Sequence, residues 1–267
     1  MEDSRRFESA PARGAAPRRW LAALYPLWQW GVLVPVVVLY TVVAAPLAIV
    51  VCAFGYQRAA NLHLAVRWAR LIARATPMRV EIEGAEHIDP GQSYVVAANH
   101  VSMFDIPLIY GFSGLDLRWV MKAELGRIPF IAQGCRAIGH IFIDRGNPDQ
   151  ARKAINDAVE RLPRGTGVLF FPEGTRSRDG RLKKFRKGAF RVSVDRRLPI
   201  LPMTVAGTRD ILPPGSLRVR PGTVRPIMHP PIQPGDGPAD EAVAQLLEST
   251  RAAIDGPLAP GRKRGVA

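Results

Sequence analysis

From Trp20 to Gln57 the chain carries no charged residue, a run of 38 positions between Arg19 and Arg58. As one straight helix it would reach about 57 Å at 1.5 Å per residue, against roughly 30 Å of bilayer hydrocarbon. A single straight crossing is therefore too long. Pro35 and Pro46 fall inside the run, and each removes a backbone donor and bends a helix, so two half-spans forming a hairpin are an alternative. Arginines flank both ends: Arg5, Arg6, Arg13, Arg18 and Arg19 before the run, Arg58, Arg67, Arg70 and Arg74 after it. The positive-inside rule would keep both ends in the cytoplasm, which favours the re-entrant hairpin over a single crossing. The run is too long for a cleaved signal peptide, and no small-residue cleavage site ends it. Residues 58–76 then show helical spacing, with Leu64, Trp68, Leu71 and Ile72 on one side and the arginines on another. That pattern suits an interfacial helix on anionic lipid or a helix packed on a domain with solvated arginines.

After Pro77 short apolar runs alternate with helical stretches. MRVEIEG, SYVVAAN, LRWVMKAE, HIFIDR, GVLFFPEG and PILPMTVAG read as six strands, with helices over 148–162, 187–196 and 240–255 and a terminal hairpin over 217–230. Such alternation predicts a single α/β domain with a mixed, largely parallel central sheet flanked by helices, preceded by the N-terminal membrane hairpin. The expected organisation is a basic tail at 1–19, a membrane-associated helical segment at 20–76, the α/β domain at 77–235, and a last helix with a basic tail at 236–267. The extremities 1–18 and 257–267 are rich in Arg, Pro and Gly and are expected to be mobile. A formal net charge of +14 favours anionic partners, whether nucleic acid, anionic lipid or phosphorylated small molecules, and does not choose among them. Cys52 and Cys135 are the only cysteines, so no disulfide framework or zinc site follows.

Four places carry chemistry. Asn99-His100-Val101-Ser102-Met103-Phe104-Asp105 follows the second strand, where a histidine with a carboxylate five residues on can act as a base held by its partner. By itself the pair is cheap, since five histidines give about a quarter of an accidental match at average Asp usage. Phe171-Pro172-Glu173-Gly174-Thr175-Arg176-Ser177-Arg178 opens a buried strand into glycine, hydroxyl and guanidinium groups suited to a phosphate, with Glu173 able to orient the arginine or accept from a substrate. Arg145, after the fourth strand, puts another fixed cation at the same sheet edge if the strands are parallel, and Lys122 ends the third strand as a further phosphate contact. Leu198-Pro199-Ile200-Leu201-Pro202 suits a wall or strand entry.

NHVSMFD, GHIFIDR, FPEGTRSR and LPILPM, in that order, resemble the four sequence blocks of the glycerolipid acyltransferase family, whose best-known members are the 1-acylglycerol-3-phosphate acyltransferases. KAELGRIPF and FRKGAF look like further family features, and the resemblance covers roughly 78–210. It implies that His100 is the catalytic base and Asp105 its partner, and that Arg145, Glu173, Gly174, Thr175 and Arg176, with Lys122, hold the acceptor's phosphate. It implies transfer of a fatty acyl group to the sn-2 hydroxyl of 1-acylglycerol-3-phosphate, giving phosphatidic acid. The donor would be a thioester on coenzyme A or an acyl-carrier protein, with no cofactor, no metal and no acyl-enzyme. Expected partners are the lipid substrates, an anionic membrane surface and a carrier protein, with no nucleic acid. The expected location is the inner cell membrane, with the domain facing the cytoplasm. Another lysolipid acceptor, such as a lyso-ornithine lipid, or a non-catalytic basic membrane-binding protein are the alternatives.

Overall fold

The computed structural model describes residues 19–144 and 146–258. The expectations for 1–18, for 259–267 and for Arg145 lie outside the described residues.

The uncharged run is one continuous helix, not two half-spans. Helix α1 (Arg19–Trp28) passes through a π-helical segment, Gln29–Leu33, into α2 (Val34–Ala53). There the Val34 amide bonds back to Gln29, five residues earlier, so Pro35 enters a ladder already widened by one residue and breaks nothing further. Pro46 stays inside α2. The chain reverses at 54–56 and returns as α3 (Gln57–Ala60), a second π segment (Asn61–Ala65) and α4 (Val66–Ala75). A hairpin therefore exists, but its arms are the apolar run and the basic amphipathic stretch, and its turn lies at the run's end.

The two arms meet different surroundings. In the first, Leu24–Ala53 is long and apolar enough to cross a membrane. Its outer side is uncovered, with Leu27 71%, Leu39 66% and Val43 60% exposed. The second arm packs on the domain through Ala60, Asn61, Ala69 and Ala73, small side chains that let it lie close. Arg70 Nε donates to the Gly111 carbonyl at 2.7 Å, fastening α4 to α5 (Asp105–Phe112).

The domain is built on seven strands: β1 (Met78–Val80), β2 (Tyr94–Ala98), β3 (Asp116–Lys122), β4 (Ile141–Ile143), β5 (Thr166–Phe170), β6 (Ile200–Ala206) and β7 (Gly222–Met228). Their order is β1-β7-β6-β2-β5-β3-β4, and every pairing is parallel except β6 with β7. The expected hairpin at 217–230 is corrected. Only β7 forms there, because it already pairs with β1 on one side and β6 on the other. The segment before it is drawn elsewhere: Val219 N donates to Gln29 Oε1 and Arg220 N to the Ile211 carbonyl.

Helices cover both faces, as a parallel sheet requires. Helices α4 and α5 bury Val66, Ala69, Leu108 and Ile109 against one face. The other is closed by α7 (Pro148–Glu160), α8 (Gly188–Arg196) and α10 (Ala239–Asp255), through Ile155, Phe190, Leu246 and Ile254. Two shorter helices, α6 (Ile131–Ile138) and α9 (Thr208–Ile211), follow β3 and β6. The chain moves outward from β2 to β3 and β4, then returns to β5 and crosses to β6 on the far side of β2. Such a reversal leaves a crevice at the carboxyl ends of the central strands.

Candidate active site

Strands β2 and β5 are parallel neighbours, with Ala97 level with Phe170, so the loops that follow them leave the same edge of the sheet side by side. One loop carries His100 and the other carries Phe171 to Arg176. The two are stapled together by backbone and by one buried acid. Ser177 N donates to the His100 carbonyl at 2.8 Å. Glu173 Oε1 accepts from His100 N at 2.7 Å and its Oε2 from Lys183 N at 3.0 Å. Glu173 is 4% exposed and does not line the cleft, so the expectation that it touches a substrate or an arginine is replaced by a structural task. Burial pushes its carboxyl pKa up, and the amide donors of His100 and Lys183 pull it back.

His100 Nδ1 lies 2.7 Å from Asp105 Oδ2. Because a carboxylate only accepts, Nδ1 carries the proton and Nε2 keeps a lone pair. Asp105 is wholly buried at the first position of α5, where the positive helix end favours a negative charge. Its Oδ2 also accepts from Val101 N at 2.7 Å and Ser102 N at 2.8 Å, and its Oδ1 from Thr208 Oγ1 at 2.5 Å. A carboxylate held by so many donors cannot swing, and it fixes the imidazole. The ring is further held by stacking on Phe171, with centroids 4.0 Å apart and planes at 19°.

His100 opens on to a cleft of about 990 Å³ whose lining includes Lys122, Gly174, Thr175, Arg176, Arg178 and Lys183. The structure thus brings His100, Asp105, Lys122, Thr175 and Arg176 to one place as the sequence predicts. Lys122 is paired at 2.6 Å with Glu124, both half-exposed. Lys183 Nζ donates to Thr175 Oγ1 at 3.1 Å and to the Arg176 carbonyl at 2.8 Å, so it orders the loop while adding its charge to the cleft. Gly174 turns that loop with φ +76°, and a Cβ there would stand 2.8 Å from Arg186 Nε.

Three residues of the site escape the sequence reading. Phe171 counts there only as the end of a strand, and Lys183 and Thr208 are not singled out at all. Thr208 is presented by Gly207, at φ +86°, whose Cβ position is filled by the Thr223 carbonyl. Beside the cleft, and sharing Trp119 and Met121 with it, lies a small pocket of about 120 Å³ between α2, α6 and β3, with apolar walls such as Ala44, Ala48 and Ile138. The arrangement offers a base with an ordered partner, a bank of cations within the same cleft, and apolar space leading toward the uncovered helix.

A family model described as Acyltransferase matches residues 79–206. The chain is 33% identical over 198 residues to the chloroplastic 1-acyl-sn-glycerol-3-phosphate acyltransferase LPAT1 of Arabidopsis thaliana, covering 73% of this chain and 55% of that protein. It thus spans little more than half the length of that plant relative. A 1-acyl-sn-glycerol-3-phosphate acyltransferase of Chlamydomonas reinhardtii is 32% identical over 257 residues, covering 95% of this chain and 74% of that protein. Among solved structures, the 1-acyl-sn-glycerophosphate acyltransferase PlsC from Thermotoga maritima superposes with a TM-score of 0.59 at 26% identity, covering 85% of this chain and 98% of that one.

Proposed function

The chain belongs to the glycerolipid acyltransferase family, of the 1-acyl-sn-glycerol-3-phosphate acyltransferase type, and from that premise we propose that it acylates the sn-2 hydroxyl of 1-acylglycerol-3-phosphate. The observation that carries this reading is the placement of the His100–Asp105 pair in one cleft with Lys122, Thr175, Arg176 and Lys183.

An alcohol is a weak nucleophile at neutral pH, so its proton must leave as the new bond forms. His100 Nε2 takes that proton while the hydroxyl oxygen attacks the thioester carbonyl carbon. The carbon–sulfur bond then breaks, and the imidazolium returns the proton to the departing thiolate. Asp105 holds the reactive tautomer and stabilises the transient positive charge, help typically worth roughly 10² to 10⁴ in rate. No enzyme nucleophile is needed, because the thioester is already activated and the acceptor supplies the oxygen. The cations bind the acceptor's phosphate by charge-assisted bonds and so bring its hydroxyl to the base. A phosphate-free acceptor would leave them with nothing to hold, which favours the phosphorylated lipid.

The exposed apolar face of the first helix supports a seat in the membrane, and the arginines flanking the uncharged run favour the cytoplasmic side of the inner membrane. There the acceptor and product need not expose acyl chains to water, at about 0.8 kcal/mol per methylene. The apolar pocket beside the cleft would shelter part of one chain.

Two measurements test the reading. Purified protein in mixed micelles is to form phosphatidic acid from lysophosphatidic acid and an acyl thioester, with no radiolabelled acyl group left covalently on the protein. Arg176→Ala is to raise the acceptor's KM by about tenfold and leave the donor's KM unchanged. A covalent acyl-enzyme would refute direct transfer, and an unaltered acceptor KM would remove Arg176 from the phosphate site.

A further inference from the structure

A second cationic pocket lies beside the cleft and contains none of the cations Lys122, Arg176 and Lys183. It measures about 520 Å³ and lies between the end of β5 and the first turns of α7 and α8. Its floor is apolar, made of side chains such as Val120, Ile143, Ile155 and Phe170. Among the described residues its rim carries four cations, Arg152, Arg186, Lys187 and Arg191, and one acid, Asp149. The four cations are not equivalent. Arg152 already binds Asp195 at 2.7 Å and Arg191 binds Asp240 at 3.1 Å. The side chains of Arg186 and Lys187 have no hydrogen-bond or ion-pair partner among the described residues. Beside them α8 begins at Gly188 with no side chain capping its first turn, and a Cβ on Gly188 would meet only open space. Two uncommitted cations and an uncapped helix start therefore converge on one cavity, which is a setting for a phosphate.

The pocket's position says which phosphate. Val120, Phe171 and Gly174 line both this pocket and the cleft that holds His100. Direct transfer requires both substrates at once, and each carries a phosphate, so the two anions need separate cation sets to avoid facing each other across the reacting atoms. The acceptor's set is Lys122, Arg176 and Lys183 in the cleft. Resting on the acyl-transfer reading above, we infer that Arg186, Lys187 and the start of α8 bind the phosphate of the donor's pantetheine arm. The arm lies over the apolar floor, and its thioester end reaches His100 past Phe171 and Gly174. The FRKGAF stretch at 185–190 thereby gains a function that its sequence alone does not state. Coenzyme A and an acyl-carrier protein both present this 4′-phosphopantetheine group, so the pocket serves either source.

The test compares donors that share the palmitoyl thioester and differ only in the group carried on the far end of the pantetheine. Initial rates are measured for the wild type, Arg186→Ala and Lys187→Ala with palmitoyl-pantetheine, palmitoyl-4′-phosphopantetheine, palmitoyl-CoA and palmitoyl-carrier protein. Each variant is expected to raise KM by about tenfold for the three phosphate-bearing donors. KM for palmitoyl-pantetheine and for the lysolipid acceptor should stay within about twofold, which also reports that the variants fold. An equal rise for the phosphate-free donor would overturn the assignment, because general damage to the site would explain it. A rise confined to palmitoyl-CoA would also overturn it, moving the contact to the nucleotide's phosphates. Wild-type protein inactive with every donor would instead strike the acyltransferase reading itself.

Discussion

His100 lies just after β2 and His140 just before β4 of the same sheet, and both rings stack on an aromatic neighbour, Phe171 for one and Trp119 for the other. Five residues past the first stands Asp105, and five past the second stands Arg145. At His100 the carboxylate accepts a hydrogen bond from Nδ1–H, which leaves Nε2 with a free lone pair on a large polar cleft. At His140 the pattern is inverted. Trp119 N donates to Nδ1 at 3.2 Å, so the proton sits on Nε2, directed to Tyr110 Oη at 3.4 Å. No lone pair is left to accept a proton, and burial, helped by the nearby Arg118 guanidinium, pushes the ring's pKa down to about 3. The same side chain thus stands with an open lone pair over the cleft in one place, as the proposed base requires, and as a neutral structural link in the other, and the difference lies in what meets Nδ1 and in how deeply the ring is buried.

Exchanging each ring for a methyl is the most direct way to break that contrast. His100→Ala is expected to lower kcat by about a thousandfold, within the roughly 10² to 10⁴ a positioned base supplies, with little change in melting temperature. His140→Ala should do the reverse: kcat within about threefold of wild type, and stability lower by roughly 2 to 4 kcal/mol for the cavity and the orphaned Trp119 amide. Turnover and urea denaturation of the two variants give the comparison, and comparable losses of kcat would erase it.

Acid sharpens it next. The folded His140 ring has its pKa held below the ordinary 6.5, so between about 3 and 6.5 the unfolded chain binds a proton that the folded one refuses. The stability this contributes is complete above about pH 6.5 and drains away as pH falls, at up to about 1.4 kcal/mol per pH unit. Carboxylates add their own acid dependence, so the diagnostic quantity is the difference between wild type and His140→Gln. The variant's denaturation free energy should fall less steeply from pH 6.5 to 4.5, and parallel slopes would show that the ring accepts a proton while folded.

The histidine with a partner was legible in sequence and the one without was not. Asp105 sits at a fixed offset from His100, and the strand-to-glycine transition at Phe171-Pro172-Glu173-Gly174 marks a loop end, but each pattern alone was weak, and it was the resemblance of the ordered blocks to a family that joined the two loops in one site. The sheet was legible from local pattern: the cores of β2 and β5 are continuous apolar runs, as strands covered on both faces must be. Pattern failed where a residue's task depends on direction. Glu173 has the composition of a ligand-binding acid, yet both oxygens turn to backbone amides. Pro35 has the composition of a helix breaker, yet the π segment before it absorbs the disruption. The hairpin expected around Pro221 failed because sequence does not state that both edges of β7 are already taken.

The smallest effect tests how far the support of His100 extends along the chain. Thr208 lies 103 residues from Asp105 in sequence, and its hydroxyl is the donor that meets Asp105 Oδ1, at 2.5 Å, while Oδ2 keeps His100 and two backbone amides. Thr208→Val keeps the shape and removes that donor, leaving a buried carboxylate oxygen unsatisfied. Since Oδ2 still holds the imidazole, the geometry loosens without collapsing, and kcat should drop only about fivefold, near 1 kcal/mol, with substrate KM values unchanged. Thr208→Ser restores the hydroxyl and should recover most of the loss, which a purely steric role for the methyl would not allow. A Val variant as active as wild type would confine the working unit to the 100–105 loop, and the contrast with His140 would then rest on Nδ1 alone.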